Sequence, residues 1–183
     1  MQNSKLIHIK PNRHKDKRGF FSETYSRRKY KELGIDEEFL QDNHSFSWEA
    51  GTLRGLHFQS PAFAQAKLVR CGNGAIFDVA VDIRKGSPNF GHWEGYKLSA
   101  ENGHQLYVPV GFAHGFLTLE PDSEIVYKCT NYYAPHAEGS LRWDDPTVGI
   151  EWPLVGKPII NTRDAAAPLL NEFETPFTFG ENS

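Results

Sequence analysis

The chain has 183 residues, 39% hydrophobic, 23% charged and 13% aromatic, with a formal net charge of -3 and a mean hydropathy of -0.54. That length suits one domain over residues 1–183, the 13 Phe, 7 Tyr and 4 Trp exclude a disordered chain, and the acidic balance argues against a nucleic-acid partner. No apolar run nears the roughly 18–20 residues of a membrane span, no apolar signal core follows Met1, and Cys71 and Cys129 cannot alone staple a fold, so the expectation is a cytoplasmic protein with no membrane partner.

The first 33 residues concentrate positive charge: Lys5, Lys10, Arg13, Lys15, Lys17, Arg18, Arg27, Arg28, Lys29 and Lys31 face only Asp16, Glu23 and Glu32. Such a cluster reads either as a solvated face or as a pocket for a phosphorylated ligand. Ser26 and Gly34 bracket a short helix over Arg27 to Leu33 as cap and stop. From residue 40 to 152 strand and turn patterns dominate. Leu53-Arg54-Gly55-Leu56-His57-Phe58-Gln59 sets Arg54 and His57 between bulky apolar residues, where an uncompensated charge is costly. Lys67 opens the run Leu68-Val69-Arg70. Ile76 to Arg84 alternates, with Phe77, Val79, Val81 and Ile83 on one face and Asp78, Ala80, Asp82 and Arg84 on the other.

Leu106 to Val108 and Glu124 to Thr130 are further strands, the second carrying Tyr127 and Lys128. In Gly111-Phe112-Ala113-His114-Gly115-Phe116 the glycines allow a close approach around His114. Gly72-Asn73-Gly74, Gly86-Ser87-Pro88-Asn89, Pro109 to Gly111 and Pro121-Asp122-Ser123 separate the strands. Near the end Asp164 is placed as the cap of a short helix through Ala165–Ala167 towards Phe173. Many short strands without βα alternation predict an all-β sandwich or barrel of the jelly-roll kind, with a few short peripheral helices.

The common catalytic signatures are missing: no Gly-x-Gly-x-x-Gly, no phosphate-binding loop ending in Gly-Lys-Ser/Thr, no Cys-x-x-Cys, no His-Glu-x-x-His. A barrel metal site wants paired histidines one residue apart on a strand, but His57 is followed by Phe58 and Gln59. A set built from His57, His114 and one carboxylate is the remaining metal reading. Taken one at a time, each polar residue also has an ordinary structural reading: a satisfied core histidine, a solvated strand-end lysine, a packed strand tyrosine.

Together the polar clusters resemble the dTDP-4-dehydrorhamnose 3,5-epimerase family. The matching stretches are Arg18-Gly19-Phe20-Phe21-Ser22-Glu23, Gln41-Asp42-Asn43-His44-Ser45, Leu53 to Gln59, Lys67-Leu68-Val69, Phe77 to Arg84, Gly111 to Phe116, Tyr127-Lys128-Cys129-Thr130 and Trp143-Asp144-Asp145-Pro146, in family order over about residues 15–170. The resemblance implies a cupin-like jelly-roll barrel, a homodimer, and activity with neither a metal nor an organic cofactor. It also implies a dTDP-linked 4-keto-6-deoxyhexose as substrate.

By the same resemblance His57 is the base, Asp164 orients it, Tyr127 is the acid on the opposite sugar face, and Lys67 stabilises the enolate oxygen. Substrate contacts carry over to Arg18, Glu23, Gln41, Asp42, Asn43, Arg54, His114, Glu138 and Arg163. Arg163 stands where the family most often has lysine, and Val110 where it often has glutamate. The leading expectation is inversion at both C3 and C5 of dTDP-4-dehydro-6-deoxy-D-glucose. The alternative is a single-centre epimerase acting on a related nucleotide-linked 4-ketosugar.

Overall fold

The computed structural model describes residues 5–180. Short strands follow one another wherever the turn signals permit: β1 (Ile7–Ile9), β2 (His14–Asp16), β3 (Gly19–Phe21), β4 (Gln41–Ser47), β5 (Leu53–Gln59), β6 (Lys67–Asn73), β7 (Ala75–Asp82), β8 (Trp93–Ser99), β9 (Gln105–Val108), β10 (Phe112–Thr118), β11 (Ser123–Cys129) and β12 (Glu138–Ser140). The helices are α1 (Arg27–Glu32) and α2 (Thr162–Ala165). Two five-stranded antiparallel sheets, in the orders β1-β9-β6-β11-β4 and β12-β5-β10-β7-β8, pack as a cupin-like jelly roll. Strands β2 and β3 form a separate two-stranded ribbon. No helix among the described residues is long and apolar enough to cross a membrane.

An inner core gathers Val69, Cys71, Ile76, Ala80, Leu98, Leu106, Val108, Phe116 and Ile125. A second core lies on the outer face of the second sheet, where Leu56, Phe58, Val79, Val81, Ile83 and Ala113 meet Leu141, Val148, Leu170 and Phe177 from the C-terminal segment. Strand β7 is therefore buried on both faces, the side that carries Asp78 and Asp82 included. Its inner face holds Asp78 and Ala80, both fully buried, while Asp82 is bound by Arg84 at 2.6 Å and by the Ser87 hydroxyl at 2.6 Å. Burial pulls the Asp82 carboxyl up, but the Arg84 and Ser87 hydrogen bonds outweigh it and hold the group below its ordinary range.

Both expected helices form, the second shorter than expected. Helix α1 starts after Ser26, whose side chain makes no capping bond. Helix α2 has four residues, and its cap is Asn161, whose side chain accepts the Asp164 N–H at 2.7 Å. Asp164 is thus not the cap, because its carboxylate turns inward onto β5. Pro168, which has no N–H to donate, stands just past the helix end and bars its extension to Phe173.

Strands β5 and β10 cross at backbone contact. A Cβ on Gly115 would lie 2.6 Å from the Arg54 carbonyl oxygen and 3.1 Å from the Gly55 Cα, so the pair tolerates no side chain. Gly115→Ala is expected to cost roughly 2–3 kcal/mol through overpacking. A thermal melt should then fall by roughly 5–10 °C, and an unchanged melt would refute the tight crossing.

Candidate active site

The register of the second sheet aligns His57 on β5 with His114 on β10 and Ala80 on β7. Ala80 belongs to the inner core, so this rung faces the space between the sheets. The opposite sheet contributes Lys67, Cys129 and Gln41 on one rung, and Tyr127, Val69 and Asn43 on the next. Tyr127 packs against the inner core, so the phenol approaches the cavity from the sheet opposite His57.

His57 is held by a carboxylate from outside the sheets. Its Nε2–H donates to Asp164 Oδ1 at 2.8 Å, and Asp164 Oδ2 accepts the Gly55 N–H at 3.0 Å. Burial raises the Asp164 carboxyl, but the bonds from His57 and Gly55 and the charge of Arg163 overcome that and hold it below the usual range. The carboxylate therefore stays ionised, fixes the ring orientation, and leaves Nδ1 with its lone pair free to take a proton.

A second histidine–carboxylate pair lies on the neighbouring strands. His114 Nε2–H donates to Asp78 Oδ1 at 2.9 Å, with both residues buried. Burial pushes the imidazole down against the pull of Asp78. Burial likewise depresses the Lys67 ammonium, opposed by Cys129, Asp78 and Glu138, and it raises the Tyr127 hydroxyl, so the phenol stays protonated at neutral pH.

The rim is polar. Arg54 reaches from β5 to β4, donating to the Phe46 carbonyl at 2.9 Å and towards the Ser47 hydroxyl at 3.3 Å. Gln41 donates to Asn43 at 2.9 Å, and Asn43 donates to the Cys129 sulfur at 3.4 Å. Glu138 on β12 is paired with Arg163 at 2.6 Å, next to Asp164.

The structure therefore brings together His57, Asp164, Lys67, Tyr127, His114, Gln41, Asn43, Arg54, Glu138 and Arg163. It does not bring in Asp42, which points to the other face of β4 and pairs with Lys128 at 2.8 Å, lining an outer depression of about 140 Å³ with Arg70. Arg18 pairs with Asp16 at 2.6 Å on the exposed ribbon, and Glu23 pairs with Lys29. Neither touches the cavity of its own chain. Sequence reasoning missed Asp78, Asn161 and the Gly55 N–H. A single carboxylate between Phe77 and Val79 was the signal for the first; the other two act through backbone geometry that residue type does not reveal. Among the described residues no three His, Cys, Asp or Glu side chains gather as a metal site.

A carboxylate-oriented imidazole, a protonated phenol on the far sheet and a lysine on the neighbouring rung of that sheet suit proton removal and return at a carbon beside a carbonyl. The chain matches the family model described as dTDP-4-dehydrorhamnose 3,5-epimerase over residues 2–172. It is 54% identical over 168 residues to the dTDP-4-dehydrorhamnose 3,5-epimerase of Salmonella typhimurium, covering 91% of each chain. A crystal structure of dTDP-6-deoxy-D-glucose-3,5-epimerase from Legionella pneumophila, in complex with dTDP-4-keto-L-rhamnose, matches with a TM-score of 0.88 at 49% identity, covering 93% of this chain and 90% of that one. A 3'-monoepimerase from Streptomyces bikiniensis, in complex with dTDP-quinovose, matches with a TM-score of 0.85 at 37% identity, covering 91% and 84%. Sequence over nearly the whole length and fold agree: the chain belongs to the dTDP-4-dehydrorhamnose 3,5-epimerase family.

Proposed function

We propose that this protein inverts C3 and C5 of dTDP-4-dehydro-6-deoxy-D-glucose, giving dTDP-4-dehydro-L-rhamnose for L-rhamnose synthesis in the cytoplasm. The observation that supports the reading most is the placement of His57, bound by Asp164 of α2, on one sheet and Tyr127 on the other. The C4 ketone acidifies the protons on C3 and C5. His57 Nδ1 takes one of them, the electron pair moves onto the C4 oxygen, and the Lys67 ammonium stabilises that oxyanion. In a dry site such a contact contributes roughly 2–4 kcal/mol. Tyr127 then gives its proton to the opposite face of the same carbon. Proton exchange with solvent resets both groups before the second centre reacts.

Arg54 and, from a partner subunit, Arg18 grip the pyrophosphate with forked donors. In this homodimer the β2–β3 ribbon delivers Arg18 and Glu23 to the neighbouring cavity, which accounts for their exposure in the single chain. The ribbon also presents Phe20 and Phe21, 55% and 67% exposed, as apolar surface for the partner. His114, Gln41, Asn43, Glu138 and Arg163 contact the sugar and nucleotide around the rim.

The higher identity to the Salmonella enzyme than to the monoepimerase favours inversion at both centres. Turnover of the ketosugar in heavy water tests it: deuterium is expected at both C3 and C5 of the product. Label at one carbon alone would establish the single-centre alternative.

A further inference from the structure

We propose that Asp78 is a positioning residue for this reaction, holding Lys67 as an ammonium ion and His114 in one tautomer at the sugar cavity. The inference rests on the epimerase reading with Lys67 at the enolate oxygen. Asp78 is fully buried on β7. One carboxylate oxygen accepts from His114 at 2.9 Å, and the other, Oδ2, is buried with no hydrogen-bond partner. A buried anion with an empty oxygen is costly unless a nearby cation compensates it. Its rung neighbour on β8, Tyr96, is turned away, its hydroxyl donating to Glu94 at 2.6 Å.

Lys67, on the facing sheet, is the cation whose charge Asp78 acts on, without direct ion-pair contact. Among the described residues it has no ion pair and no hydrogen bond, and the titratable groups whose charge it feels or acts on are Asp78 from β7, Cys129 from β11, Glu138 from β12 and His114 from β10. Glu138 is already bound by Arg163 at 2.6 Å. The Cys129 thiol is pushed up by burial and stays neutral. Asp78 is therefore the anion left to oppose the burial that would strip Lys67 of its proton. The same carboxylate holds Nε2–H of His114, so Nδ1 presents a lone pair, an acceptor suited to a sugar hydroxyl.

Asp78→Asn keeps the shape and an acceptor for His114 but removes the charge. The expected result is a kcat lower by roughly 10–100-fold, with KM and dTDP affinity within about threefold of wild type. The sign of the pH effect follows from the lost anion: Lys67 gives up its proton more readily, so the alkaline limb of kcat moves to lower pH by about one unit. In a Lys67→Arg background, where the cation does not titrate, the same substitution should leave the limb in place. An active Asp78→Asn with wild-type kcat and limb overturns the proposal, as does an equal limb shift in the arginine background. Should Asp78→Asn fail to fold, an NMR titration of Lys67 in the wild-type enzyme decides: an ammonium persisting to about pH 8 supports the role, and a neutral amine at pH 7 overturns it. A wild-type enzyme that exchanges no deuterium with its ketosugar would instead refute the epimerase reading itself.

Discussion

His57→Ala is expected to lower kcat by roughly 10³–10⁴-fold while dTDP affinity stays within about threefold of wild type. The imidazole is the group with both the lone pair and the orientation to take the proton, and its Nε2 is held by a carboxylate that burial cannot neutralise. Arg54, the arginine proposed to grip the nucleotide from this chain, stands at the rim, and its bonds run to β4 and not to His57. Removal of the base should therefore separate turnover from binding. Titration calorimetry with dTDP beside steady-state kinetics makes the comparison. Equal loss of both quantities would indicate a sugar-binding barrel in which His57 only shapes the pocket.

Tyr127→Phe should be nearly as damaging to product formation, by roughly 10²–10³-fold, but with a different isotopic signature. The base side remains intact, so His57 still removes the proton and solvent deuterium still enters the carbon. With no donor on the far face, the enolate recovers its proton from the side that lost it. Recovered substrate should then carry deuterium without inversion. The phenol suits this part because burial keeps it protonated and Arg54 lies close enough to stabilise the phenolate left after transfer. Complete loss of exchange would make Tyr127 the base, and unaltered inversion would remove it from the mechanism.

These expectations show which parts of the molecule were legible in the chain and which were not. Period-2 alternation located β7, and turn residues bounded most other strands, because both signals are local. Alternation could not say what covers a face. The outer face of β7 is buried by a segment that begins at Leu141, and that contact is set by topology. Alternation set Asp78 and Asp82 on the face opposite Phe77 and Val79 without saying what they meet, and each is a buried carboxylate with its own partner. Family resemblance named His57, Asp164, Lys67 and Tyr127, but gave no distances. It also grouped Gln41, Asp42 and Asn43, although consecutive strand residues point to opposite faces and Asp42 leaves the cavity. Arg18 and Glu23 were legible as ligand groups only by resemblance, since nothing in one chain carries them to the site.

The carboxylate that binds His57 comes from 107 residues further along the chain. The strands of both sheets are complete by Ser140, whereas Asp164 arrives on a strap fixed by the Ile159 carbonyl to Leu53 N–H at 2.8 Å and by the Pro168 carbonyl to Arg142 N–H at 2.9 Å. A chain emerging from the ribosome thus has the strands of both sheets before Asp164 can reach His57. The segment that brings Asp164 to His57 also carries Leu170 and Phe177 onto the outer face of β7, so whatever loosens it acts on the imidazole's partner and on the covering of the barrel together.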